Sequence, residues 1–104
     1  MQACEIPSED LLAPAVVEIE ITDPQCDFDC AREVAMIEAR SYDNAPRLVS
    51  WFDRKRESFF PQGECCVEGE PSWLAYGAAR GADLTVDVNH EDYVFMFRTS
   101  HGVP

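Results

Sequence analysis

An α+β domain with two layers is predicted: a mainly antiparallel sheet of four to five strands, two helices on one face, and the element order β-α-β-β-α-β-β. Three observations carry this. Leu84, Val86 and Val88 alternate with Thr85 and Asp87, Asn89 to Asp92 interrupt, and Tyr93 to Phe97 resume as an uncharged apolar run, the pattern of a β-hairpin. Val17, Ile19 and Ile21 alternate with Glu18, Glu20 and Thr22, the pattern of a strand with one wet face. Between these, Phe28, Ala31, Ala35 and Ala39 recur at helical spacing, with Cys30, Val34 and Ile37 in the adjacent row.

Residues 1–14 carry Pro7, Pro14 and Glu9-Asp10 and read as a surface arm, leaving residues 15–104 as one domain. After the first strand, Asp23-Pro24 can close it and open the helix, because a carboxylate caps free N–H groups and proline is tolerated in a first turn. Asp43-Asn44 and Pro46 end that helix. Arg47 to Phe52 is β-branched and aromatic enough for a strand, with Phe59-Phe60 returning beside it after the polar tip Asp53 to Ser58. Gln62 to Glu70 reads as a loop. Pro71 to Arg80 is a short helix stopped by Gly81, and Gly77 inside it costs about 1 kcal/mol against Ala, which implies a close approach to another backbone. Tyr93 to Phe97 is apolar on both sides, so two faces need cover. With both helices on one face, the cover for the second is the loop from Phe59 to Glu70 or a second copy of the chain, which makes a homodimer an expected partner.

Composition bounds the function. A chain of 104 residues can bury roughly 65% of its unfolded surface, enough for a core without staples. Eight basic against twenty acidic residues give a formal net charge of −12, which repels nucleic acid and anionic lipid and leaves a basic protein as a fitting macromolecular partner. The N-terminus shows no signal-peptide pattern, no apolar stretch approaches the ~20 residues that span a bilayer, and five cysteines are an odd number. Together these imply a cytoplasmic protein with free thiols.

Few residues suggest chemistry. Cys26 and Cys30 with Cys65 and Cys66 are the one constellation that resembles a metal or redox site, but adjacent cysteines aim apart and make awkward zinc ligands, so no metal and no cofactor is expected. Asp87, Asn89 and Glu91 have the alternating oxygens of a calcium loop, yet Asp92 stands where its glycine is needed. Arg54-Lys55-Arg56 is the single basic cluster on an acidic chain. The candidate ligand contacts are therefore Arg54, Arg56, Cys65, Cys66 and Trp73, and no catalytic residue can be named.

Ser50-Trp51-Phe52-Asp53-Arg54, Trp73-Leu74-Ala75-Tyr76 and Arg80-Gly81-Ala82, followed by the final hairpin, resemble a small prokaryotic family of single domains of unknown function. The resemblance implies a standalone domain with a helix laid across a sheet, and no activity. The reading is a non-enzymatic interaction or small-ligand-binding module. The alternative is a thiol-dependent redox protein or enzyme using Cys65 and Cys66 near the Arg54-Lys55-Arg56 cluster.

Overall fold

A computed structural model describes residues 15–60, 66–67 and 70–100, so the expected arm of residues 1–14 lies outside the described residues. The elements are β1 (Ala15–Ile19), α1 (Phe28–Arg40), β2 (Arg47–Asp53), β3 (Ser58–Phe60), β4 (Cys66–Val67), β5 (Glu70–Pro71), α2 (Ser72–Ala79), β6 (Leu84–Val88) and β7 (Tyr93–Arg98). Five strands form one sheet in the order β1-β6-β7-β2-β3, and β4 pairs with β5 in a separate two-stranded ladder. That ladder occupies part of the stretch expected to be a plain loop.

The hairpin of β6 and β7 is the centre of the sheet, as its apolar pattern implies. Val86 opposes Phe95 and Leu84 opposes Phe97 across it, and β2 flanks β7 in antiparallel register. Its four-residue connection places Asn89, His90 and Glu91 in the left-handed region, a conformation that costs non-glycine residues energy. Asn89 offsets this at long range: its Oδ1 accepts from the Ile21 N–H at 2.7 Å, and its Nδ2 donates to the Ile21 carbonyl at 3.2 Å. The Asp87 carboxylate accepts from the Glu91 N–H at 2.6 Å. The oxygens that imitate a calcium loop thus serve the turn.

Strand β1 runs parallel to β6, with Val17 opposite Val86 and Ile19 opposite Val88. Because β7 is antiparallel to both β6 and β2, β1 and β2 point the same way. The passage through α1 is therefore a crossover with the β6–β7 hairpin inserted between its two strands. Only the β1–β6 pair departs from a mainly antiparallel sheet.

The helices lie on opposite faces, which corrects the expectation that both share one. Ala31, Ala35 and Ala39 of α1 are fully buried against Leu84, Val86, Val88, Tyr93, Phe95 and Phe97. Trp73 and Leu74 of α2 instead join Phe52, Phe59, Val94 and Met96. The reason is the pleat of β7: its side chains alternate between faces, and both sets are apolar, so each set takes one helix. The aromatic run needs no second copy of the chain to cover it. Gly77 makes this packing possible, since a Cβ there would lie 2.8 Å from both Met96 Sδ and Ser50 Oγ. The close approach is real, but it is made to side chains rather than to another backbone.

Helix α1 starts later than expected. Its cap is Asp27, whose Oδ1 accepts from the Cys30 N–H at 3.0 Å, while Asp23 takes the Gln25 N–H in a preceding turn. Two free carboxylates can fill the same role, and the one next to the first apolar residue, Phe28, does so. Phe28 then packs on Trp51 and Phe95 with ring centroids 4.6 and 5.5 Å apart. Ile37, expected in the apolar stripe, is 64% exposed, because the small Ala31, Ala35 and Ala39 row seats the helix directly on the sheet and turns Ile37 outward. Cys26 and Cys30, expected as free thiols, are joined in a disulfide. They flank the cap residue and enter and begin the same turn, which brings their Cα atoms to 5.2 Å, within the range a disulfide bridges.

Candidate functional site

The residues singled out by sequence do not converge. Trp73 is fully buried and stacks on Phe52 at 5.4 Å, which makes it a core residue of the α2 face. The arginines of the basic tip serve the tip itself. Arg54 donates from Nε to the Glu91 carbonyl at 3.0 Å, pairs with the Glu91 carboxylate at 3.5 Å and lies over the Phe52 ring. Arg56 pairs with the buried Asp53, whose Oδ1 also takes the Arg56 N–H, and Lys55 sits over Tyr93. This ties the β2–β3 tip to the β6–β7 turn. Cys65 lies outside the described residues; Cys66 opens β4, opposite Pro71. The disulfide uses the thiols of Cys26 and Cys30, so neither is a thiolate ligand while it stands. Among the described residues no group of three or more His, Cys, Asp or Glu side chains could hold a metal ion, and no helix is long and apolar enough to cross a membrane.

A different site emerges at the opposite end of the sheet. Arg47 opens β2 and Arg98 closes β7, and the register places them directly opposite each other. With Ala45, Thr99 and Ser100 they line a pocket of about 240 Å³. Arg98 also runs alongside Gly81, where a Cβ would meet its Nε and Cδ at 3.7 and 3.8 Å. Neither arginine forms an ion pair with a described residue. Like charges directly opposite on neighbouring strands are destabilising, so this pair costs the sheet stability where it stands.

The wall beside the arginines is built on two carboxylates. Asp83, just before β6, takes the Thr99 N–H at 2.8 Å and the Thr99 hydroxyl at 2.6 Å. Asp43, buried after α1, takes the Ser100 hydroxyl on Oδ1 and the Ala45 N–H on Oδ2 at 3.1 Å. Loop ends from three parts of the chain are thereby fixed around one small concavity. No sequence pattern announced it: Arg47 and Arg98 are 51 positions apart, and only the β2–β7 register brings them together. The one local sign was that Arg98 is the first charge after the uncharged run of β7.

Comparisons with known proteins agree with this picture of a small domain without assigned chemistry. No curated protein matches the chain. A crystal structure of the protein AF1514 from Archeoglobus fulgidus DSM 4304, described as novel, is similar: 27% identical, with a TM-score of 0.71, over 83% of this chain and 94% of that one. Residues 14–97 match the family described as Domain of unknown function (DUF5619), a span that starts just before β1 and ends one residue short of the end of β7. On that match, the chain belongs to this family of domains of unknown function.

Proposed function

We propose that the chain is a non-enzymatic small-ligand-binding module whose ligand occupies the pocket at the Arg47–Arg98 end of the sheet. The observation that carries this is the pair of opposed guanidiniums, which a bound anionic group would bridge and whose repulsion it would relieve. A pocket of about 240 Å³ is below the ~300–1,000 Å³ usual for ligand sites, so the ligand is small. A net charge of −12 opposes nucleic acid as the partner. A homodimer is not needed, because α1 and α2 cover both faces of β7. A cytoplasmic location belongs to the same reading, but the Cys26–Cys30 disulfide removes one of its supports.

Arg47→Gln tests the proposal. In buffer without small carboxylates the variant should melt at or above the temperature of the parent, since a repulsion has gone. Acetate at constant ionic strength should raise the melting temperature of the parent and leave that of Arg47→Gln unchanged. An equal response of both proteins would refute the site.

A further inference from the structure

Resting on the reading of this pocket as a ligand site, we infer that its ligand is a small zwitterion, a molecule carrying a carboxylate and a protonated amine, as an α-amino acid does. The inference comes from where the hydroxyl protons go. Thr99 spends its O–H on Asp83 and Ser100 spends its O–H on Asp43. A hydroxyl whose proton is already donated offers only oxygen lone pairs to a third group. The pocket therefore has two unlike sides. Arg47 and Arg98 present donors and positive charge. Thr99 and Ser100 present acceptors with a carboxylate behind each.

A phosphate or a plain dianion suits the first side and not the second. Phosphate sites surround the anion with donors, and here the hydroxyls that could complete such a shell face it with lone pairs. An ammonium group suits the second side, where it would donate to the hydroxyl oxygens in the field of Asp43 and Asp83. Charge balance favours the same ligand. Among the described residues, the two arginines of the pocket and the two aspartates behind it sum to zero, and a ligand of zero net charge approaches a chain of net charge −12 without the long-range repulsion that a polyanion meets.

The test is a titration of ¹⁵N-labelled protein, followed by backbone amide shifts, with three probes at equal ionic strength: L-alanine, propionate and ethylamine. L-Alanine should shift amides around residues 98–100 and bind at least tenfold more tightly than either propionate or ethylamine. Ser100→Ala should weaken L-alanine towards the affinity of propionate and leave propionate itself unchanged, whereas Arg47→Gln should abolish the response to both acids. Equal binding of L-alanine and propionate would overturn the zwitterion and leave the anion pocket standing. Absence of any response near Arg98 from all three probes, or responses that survive Arg47→Gln, would overturn the pocket reading as well.

Discussion

Replacing Gly77 by Ala is the sharpest probe of how α2 sits on the sheet. In an exposed helix interior this change stabilises by about 1 kcal/mol, the propensity difference between the two residues. Here the new methyl would lie 2.8 Å from Met96 Sδ and from Ser50 Oγ, closer than side-chain carbons approach such atoms, and Ser50 and Met96 are 0% and 1% exposed. Overpacking a closed core costs about 1–3 kcal/mol. Met96 can yield part of the way because its thioether end is flexible, but it cannot leave the core. Setting about 2 kcal/mol of crowding against about 1 kcal/mol of propensity leaves Gly77→Ala roughly 1 kcal/mol less stable. For a domain of this size that lowers the melting temperature by about 4–8 °C. Ser50 supplies the control. Its Oγ is buried and has no hydrogen-bond partner, so Ser50→Ala should be neutral or stabilising alone. It should also return about 0.5–1 kcal/mol of the Gly77→Ala penalty in the double variant, as residues in contact couple. Urea denaturation followed by tryptophan fluorescence, with Trp73 buried on α2 one turn before Gly77, measures all four corners of the cycle. A Gly77→Ala protein more stable than the parent, or a penalty unchanged by Ser50→Ala, would refute the close seating of α2.

Two further outcomes follow from other contacts. In protein denatured by guanidinium without reductant, Cys26 and Cys30 should resist alkylation and become labelled only after reduction, which peptide mapping reads directly; the double Ser variant should lose about 2 kcal/mol, the loop-closure value for so short a ring. Asn89→Ala should cost about 2–4 kcal/mol by urea denaturation, combining two lost hydrogen bonds with the left-handed backbone, and Asn89→Gly should recover only the backbone part; equal stability of all three would show that the turn does not depend on this side chain.

Much of the fold was legible because local pattern and tertiary environment coincide. The β6–β7 hairpin declared itself through Leu84, Val86 and Val88 and the two-sided run of β7, and Ala31, Ala35 and Ala39 marked the buried row of α1. What stayed hidden depends on relations between distant segments. The face on which α2 packs is decided by Val94 and Met96 meeting Trp73 and Leu74, and nothing within either segment states that choice. The parallel partner of β1 could not be read from Val17 and Ile19, because alternation reports a buried face and is silent on neighbour and direction. The site shows the same limit. Basic residues adjacent in sequence, Arg54 to Arg56, drew attention and proved to be turn contacts, whereas Arg47 and Arg98 meet only through strand register.

The insertion of β6 and β7 between β1 and β2 also sets the order in which this chain can acquire structure as it leaves the ribosome. When the chain has emerged as far as Phe60, β2 and β3 can pair, but β1 has no neighbouring strand: its place in the sheet is three strand spacings from β2, about 14 Å, and the two strands that fill the gap are still unmade. Val17 and Ile19 have no strand partner until Val86 and Val88 appear. Glu18, which alternates with them on the strand, and Glu20 just beyond it keep that waiting segment charged and discourage its pairing with another nascent chain. Strands β6 and β7, made after the other three of this sheet, are its middle, so a chain that stops before β6 keeps at most the β2–β3 pair and leaves β1 without a strand to join.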